Sequence, residues 1–551
     1  MRNFRHAFTA LPHDRFGSRV AWPVFLTNRD LMPLSYSLLA RLGAGAALLT
    51  LAACSVDHLG ETTPEVSPES LILTHAEVVD LIRDRMVDGD VFDWTALDDA
   101  ELYAAGVTGD SLFTLGYWYG EDKARAPELI GVVDVDTGAW RRHFDGILAE
   151  VLALESASVG RAVTRADVLV FGEPAAVPQA TLRLSAPASI AFLRQHPDTR
   201  YVEPMGFDPE AGQLAERSSS GCDGGDPNYG LPSADYVVTS PNVKAPWNFG
   251  LHNVQAAWAH SQGAGVGVEV IDTGSSDDQD NLGSQFASGL SAGRSITRLS
   301  THYSGSWWWR SLDPPHDPCG HGTRMSGLAT APRGSDGNSV GVAYRANLTT
   351  VRAVADVVIT SSNESNGVKN ALIIAGNDPG TRIVSMSIGT PFSNGTVRDG
   401  IYYAYNRGKL LVAAAGTSFS WTSWYGVIFP ANLSQTVAVT GIREGMPFQR
   451  CSNCHDGPEV DFVIHMQRRN DDDRTTVSLA NYSNQPRYSG GSSCATATTA
   501  GIAALVWAKY PGWSRSQVIS RLAQSSSYYP SRDGDFGWGA IDALQAVTNP
   551  I

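Results

Sequence analysis

Apolar and polar positions along the chain fall into distinct periodicities, and each predicts a different element. His75–Met86 carries apolar residues at helical spacing and predicts a helix. Leu129–Val135 reads as a strand. Ala139–Leu154 reads as a helix whose apolar face holds Trp140, Phe144, Ile147, Leu148, Val151 and Leu154. Val168–Phe171 and Ala180–Leu184 predict strands, Ala188–His196 a helix behind Pro187, and Arg200–Glu203 a short strand. That order, β-α-β-β-α-β, predicts a small sheet with two helices on one face.

Further on, the pattern changes. Residues 206–228 are rich in Gly, Ser, Asp and Glu without apolar periodicity, and predict an exposed, cleavable linker. Beyond it, unbroken apolar runs (Val266–Ile271, Ile383–Met386, Leu410–Ala415, Thr436–Val439) alternate with helical stretches. These are Ser326–Ala331, Lys369–Gly376, Val397–Arg407, Ala495–Tyr510 and Ser514–Gln524. Continuous apolar strands are buried on both faces, so the expected fold class is α/β: a three-layer helix–sheet–helix unit around a mainly parallel sheet. The expected organisation is 1–54 signal segment, 55–127 linker and unassigned helical region, 128–205 small α+β domain, 206–244 exposed linker, and 245–551 main domain.

Composition narrows the function classes. The 551 residues exceed one core, and 43% hydrophobic against 18% charged residues excludes wholesale disorder. A net charge of −15 argues against a nucleic-acid partner, which needs a basic face. Leu42–Ala53 is about half the ~20 apolar residues that span a bilayer. It follows Arg41 and ends in small residues, as a signal-peptide core does. Leu51-Ala52-Ala53-Cys54 resembles the bacterial lipobox, which implies lipidation of Cys54 and membrane anchoring through it. A signal of that size begins near Met32. The expected location is outside the cytoplasm of a bacterial cell: outer surface, periplasmic and membrane-anchored, or extracellular. An ordinary secretory signal with an incidental Cys is the alternative, and either way disulfides are allowed.

Three motifs carry chemistry. The apolar strand Gly267–Ile271 ends in Asp272, and a carboxylate at the carboxyl end of a parallel strand sits where such sheets bind ligands. Cys319-Gly320-His321-Gly322-Thr323 flanks a histidine with glycines that leave its imidazole accessible. Gly491-Ser492-Ser493-Cys494-Ala495 puts a serine at the mouth of a long small-residue helix, where helix-end N–H groups stabilise an anion. Taken singly, each reads as well as a turn Asp, a structural His or an N-cap Ser. Together they give the order Asp…His…Ser.

With these motifs, residues 245–548 resemble a subtilisin-like serine protease (subtilase) catalytic domain. Val384-Ser385-Met386-Ser387-Ile388-Gly389 resembles the family's substrate-binding strand. Val412-Ala413-Ala414-Ala415-Gly416 resembles the strand that leads to its oxyanion-hole residue. Phe429-Pro430-Ala431 and Gly537-Trp538-Gly539-Ala540-Ile541-Asp542-Ala543 resemble further family segments. The β-α-β-β-α-β segment resembles the family's ferredoxin-like inhibitory propeptide. The resemblance implies an Asp272–His321–Ser493 triad, with Ser492 the rival nucleophile. It also implies an oxyanion hole from Thr417 and the Ser493 N–H, and substrate contacts from Ser387, Ile388, Gly389, Ala415 and Gly416, with Ser387 and Gly389 pairing substrate backbone as an added strand. The implied partners are protein or peptide substrates and the chain's own propeptide.

The chain departs from the family at three places. Thr417 replaces the usual oxyanion Asn, and Ala497 replaces a Pro. The A-P-G that follows V-D-V is missing after Val460-Asp461-Phe462, and a charged loop, Gln467–Arg474, takes its place. These departures admit a rival reading, a catalytically weak surface binding protein on the same fold. A peptide ligase has no specific sequence support. No cofactor is expected with assurance. Calcium on Asp277, Asp278 and Asp280 is the alternative to a solvated acidic turn. Cys451-Ser452-Asn453-Cys454-His455 matches a haem-attachment pattern, but a disulfide or two thiols fits its place in a short turn. Cys222–Cys319 is a candidate pair, Cys494 a candidate free, oxidation-sensitive thiol, and Trp307-Trp308-Trp309 a candidate packing or cleft wall.

Overall fold

The computed structural model describes residues 73–86, 90–211, 221–222, 224–306, 309–418 and 426–549. The segment expected to be an export signal, Cys54, Trp307 and Trp308 lie outside the described residues. No helix among the described residues is long and apolar enough to cross a membrane.

The main domain is built on a nine-stranded sheet. Its spatial order is Arg487–Ser489, Asp471–Ser478, Val460–Arg468, Val437–Arg443, Leu410–Ala414, Thr381–Met386, Gly267–Asp272, Asn347–Arg352 and Ile296–Ser300. From Val460–Arg468 to Ile296–Ser300 every neighbour is parallel. The first two strands add antiparallel at the other edge.

Side chains alternate strictly between two cores. Val268, Val270, Ile383, Leu410, Val412, Val437 and Val439 face a core that contains the helices His321–Thr330 and Gly491–Lys509. Ile271, Val384, Met386, Leu411, Ala413 and Ala438 face the helices Ser362–Asn377 and Gly395–Asn406. This is the expected three-layer α/β unit. Every strand in the middle of the sheet is apolar on both faces because each face meets helices.

Ahead of it lies a four-stranded antiparallel sheet in the order Leu169–Val170, Gln179–Arg183, Leu112–Tyr117, Thr199–Pro204. The helices Gly138–Val159 and Pro187–Gln195 share its core through Trp140, Phe144, Ile147, Ile190 and Leu193. The β-α-β-β-α-β order is present, but its first strand is Leu112–Tyr117, not 129–135. Residues Ala126–Leu129 instead form a helical turn with Pro127 in its first turn. Gly131 then takes φ +81°, a left-handed conformation that ends any strand there, and leaves Val132 65% exposed. The expected charged loop Gln467–Arg474 is likewise the tip of a hairpin between Val460–Arg468 and Asp471–Ser478.

The small module is seated on the two helices of the second core. Arg200 forms an ion pair with the buried Asp399 at 2.5 Å, and Tyr201 donates to the same carboxylate at 2.8 Å. Glu203 accepts from the first backbone N–H of Gly395–Asn406 at 2.5 Å and from Arg398 at 3.0 Å. Asp110 accepts from Ser362, the first residue of the other helix. Glu203 and Asp110 thus each lie at a positive helix end. Phe392 and Tyr403 of the main domain sit in the module's own core.

A second buried contact makes a prediction about pH. His252 Nδ1 donates to the carbonyl of Ile541 at 2.7 Å, and its Nε2 accepts from the backbone N–H of His465 at 3.0 Å. Burial lowers the pKa of His252 to about 4 and that of His465 to about 3. Below about 6.5 the unfolded chain therefore binds protons that the folded chain refuses, and stability falls as pH drops from there towards 4. The His252 shift alone corresponds to about 3 kcal/mol. The melting temperature is expected to fall across that window, and His252→Gln to make the fall shallower. Identical pH profiles for the two proteins in calorimetry would contradict this.

Candidate active site

Asp272 closes the strand Gly267–Asp272 and is completely buried. Its Oδ1 lies 2.8 Å from His321 Nδ1 and also accepts from the Thr273 N–H at 2.8 Å. Among the described residues its Oδ2 has no hydrogen-bond partner. The carboxylate thus holds the imidazole by Nδ1–H and leaves Nε2 to face the cavity. His321 begins the helix His321–Thr330, behind Gly320 at φ +85°. Gly322 packs so tightly on Gly274 that a Cβ there would lie 2.3 Å from its carbonyl oxygen. The glycines flanking the histidine therefore let two backbones touch.

Sequence reasoning missed the residue that fixes this contact. Asp317 is fully buried and accepts from Thr273 Oγ1 (2.8 Å), the N–H groups of Cys319 (3.1 Å), Gly320 (2.8 Å) and Thr323 (2.8 Å), and Thr323 Oγ1 (2.6 Å). No motif marks it. The only signal is an Asp a few residues ahead of a helix start, in a chain with many such Asp residues.

Ser492 and Ser493 open the helix Gly491–Lys509, and the structure separates the two rivals. Ser492 is buried, with its hydroxyl 2.9 Å from that of Thr417. Ser493 is partly exposed and lines a cavity of about 260 Å³ together with His321, Arg324, Thr417 and Gly490. Ser493 also lines a second, tighter cavity with Ser387, Ile388, Gly389, Ala414, Gly416, Thr417 and Ile428. Asp272, His321 and Ser493 therefore converge from a strand end and two helix starts.

Several expected contacts differ. Ala415 faces the core, because the strand's alternation puts Ala413 and Ala415 inward and gives the cavity to Ala414. Gly389 donates its N–H to Val357 at 3.0 Å and accepts from Ile359 at 2.9 Å. Its N–H is already committed, so it shapes the cavity wall instead of donating to an added strand. The Ser387 hydroxyl donates to the carbonyl of Ser493 at 2.9 Å and so braces the helix start.

Thr417 lines both cavities with Ser493. Its Oγ1 accepts from the Ser492 N–H at 3.3 Å. Behind it, Cys451–Cys454 form a disulfide whose loop bridges to Thr417, and the Ser418 N–H donates to Asn453 at 2.6 Å. His455 Nδ1 donates to the carbonyl of Gly426 at 2.9 Å, and Nε2 lies 3.2 Å from Ser418 Oγ. Both cysteines and the ring are in use, so the haem pattern is a structural turn. Cys222 pairs with Cys319, and Cys494 is free. The thiol of Cys494 is wholly buried and donates to Ser489 at 3.0 Å. Burial pushes its pKa up to about 12, which makes it inert and corrects the expectation of oxidation sensitivity.

In the acidic turn one of the three carboxylates is already paired. Asp277 is held by Arg298 at 2.6 Å and lies 3.4 Å from His316. Among the described residues no group of three or more His, Cys, Asp or Glu is placed to hold a metal.

The Subtilase family profile matches residues 263–539. M-protease of Shouchella clausii (strain KSM-K16) is 28% identical over 328 residues, covering 58% of this chain and 75% of that protein. Thermostable alkaline protease of Halalkalibacterium halodurans is 29% identical over 325 residues (58% and 78%). Subtilisin E of Bacillus subtilis (strain 168) is 27% identical over 329 residues (58% and 76%). The crystal structure of fervidolysin from Fervidobacterium pennivorans, a keratinolytic enzyme related to subtilisin, superposes with a TM-score of 0.54 at 17% identity. It covers 80% of this chain and 61% of that one, and so shares the fold.

The Thr417 hydroxyl makes the second prediction. Thr417→Val keeps the shape and removes the donor. If that hydroxyl meets the developing oxyanion, kcat falls by about 10²–10³ with KM little changed. An unchanged kcat on a small ester would remove Thr417 from the oxyanion hole.

Proposed function

The chain belongs to the subtilase family and is a subtilisin-like serine protease, and from that premise we propose that it is an exported endopeptidase made as a self-processing precursor. Ser493 Oγ attacks the peptide carbonyl, and His321 Nε2 takes the proton and passes it to the leaving amine. Asp272 holds the tautomer through Nδ1 and stabilises the imidazolium. The carbonyl oxygen of the tetrahedral intermediate is met by the Ser493 N–H at the helix start and by Thr417. The acyl side of the substrate lies against Ser387, Ile388, Ala414 and Gly416. The 2.8 Å Asp272–His321 contact, beside a serine that shares the histidine's cavity, carries this reading.

The seating of the small module supports its role as an inhibitory propeptide. Its carboxylates Asp110 and Glu203 meet two helix starts of the main domain. In this reading the chain is lipidated at Cys54 and cut in the linker after the module, so lipid and protease part after processing. The engagement of the Thr417 hydroxyl with Ser492 favours one alternative, a weakly active or inactive surface binding protein on the same fold.

The deciding experiment is the intact mass of the expressed precursor beside Ser493→Ala. The parent is expected to be cut between about residues 205 and 245 while the variant stays whole. If both stay whole and a fluorophosphonate labels neither, the binding-protein reading stands.

A further inference from the structure

The cavity around His321 is not closed by the main domain alone. Gly221, from the linker between the two domains, lines it beside His321 and Ser493. A Cβ on Gly221 would lie 3.6 Å from His321 Cδ2 and 3.2 Å from Val357. Its carbonyl accepts from the buried Arg324 at 2.7 Å. Cys222 is joined by the disulfide to Cys319, two residues ahead of His321.

The chain then continues along the same wall. Asn481 donates its backbone N–H to Gly225 at 2.8 Å, and Asn228 donates to the carbonyl of Pro486 at 3.1 Å. Tyr488 donates to Asn228 Oδ1 at 2.7 Å, and Tyr482 to Asp226 at 3.0 Å. Gly225 and Gly320 are interlocked: a Cβ on Gly320 would lie 2.9 Å from the Cα of Gly225.

Which side of the cleft this covers follows from the chemistry. The two cavities share Val357, Thr417 and Ser493. The one walled by Ser387, Ile388 and Ala414 receives the acyl part of the substrate. The other holds His321, which protonates the leaving amine, so it receives the part released first. Gly221 lines the second, and Cys222 and residues 224–228 run on from it against Cys319, Gly320 and the segment 481–488, whose Tyr488 lines the same cavity. They follow the linker in sequence, so a cut upstream of Gly221 leaves them on the protease.

Resting on the protease reading above, we propose that Gly221, Cys222 and residues 224–228 form a self-supplied wall on the leaving-group side of the cleft. The Cys222–Cys319 disulfide latches this wall in place. While it is latched, the enzyme prefers substrates with a small leaving group, and peptides extended beyond the scissile bond are excluded. A dithiol opens the latch by thiol–disulfide exchange: two electrons and two protons pass to Cys222 and Cys319 as thiols, and the dithiol becomes a disulfide. Cys222 is half-buried and offers a sulfur to the attacking thiolate.

The test compares kcat/KM for a peptidyl coumarylamide with that for an internally quenched peptide that has the same acyl sequence and continues past the cut. The proteins are the processed enzyme, Cys222→Ser, and the Cys451→Ser/Cys454→Ser variant with and without dithiothreitol. That last background removes the other disulfide as a target. The ratio of extended peptide to coumarylamide is expected to rise at least about tenfold in Cys222→Ser and on reduction. A ratio within about twofold in both comparisons overturns the wall. So does a processed protein whose N-terminus lies beyond residue 228. A coumarylamide left intact by every protein sinks the protease reading itself, and the wall with it.

Discussion

The Asp317 carboxylate accepts five hydrogen bonds in a fully buried site, and the geometry at the cleft depends on it. A buried carboxylate without such donors is heavily penalised, and with them it becomes a rigid node. Through Thr273 it grips the end of the Asp272 strand. Through the N–H groups of Cys319, Gly320 and Thr323 it fixes the turn that delivers His321. Thr273 completes the link by accepting from the Gly322 N–H at 2.9 Å. The Asp272–His321 distance is therefore set by a polar network behind the pair, as preorganised catalysis requires.

The third member of the site is set by packing instead. The helix Gly491–Lys509 is buried almost all round, with Ala497, Ala500, Ala503 and Ala504 fully enclosed. A helix of small residues can lie close against the sheet, so the strand ends and the helix start reach the same cleft. Ser387 then ties the two by donating to the Ser493 carbonyl. The Ala at 497 costs this arrangement nothing visible, because that position is deep in the helix and far from its first turn.

Legibility in the sequence followed burial. The central strands are apolar on both faces and stand out as runs. The edge strand Ile296–Ser300 alternates with Thr and Arg and gave no signal. Leu112–Tyr117 was hidden for a different reason. All six residues are buried, but they include Thr114, paired with Thr396 at 2.5 Å, and Gly116, whose missing Cβ makes room for Tyr201. Its polarity and its glycine are satisfied by partners distant in sequence. The error at Ala415 was one of parity: in Ala413-Ala414-Ala415 composition says nothing about which methyl faces the core. Asp272, His321 and Ser493, which the structure brings to one cleft, stood out because each sits in a motif whose glycines and small residues are dictated by close backbone contact. Asp317 did not, since its role depends on where a turn lies in space, whereas the Cys222–Cys319 pair that the sequence offered as a candidate is formed.

Thr417 shows how one replaced side chain changes a site's accounting. A hydroxyl has one proton and can accept two bonds. The Oγ1 of Thr417 already accepts from the Ser492 N–H, and it shares one further bond with the Ser492 hydroxyl. If Thr417 gives its proton to Ser492, nothing remains to meet an oxyanion. If Ser492 donates instead, the Thr417 proton is free to turn to the cavity. An amide carries two protons and needs no such choice. Ser492 thus decides whether Thr417 can donate, and the Cys451–Cys454 disulfide loop bridges to Thr417 from behind.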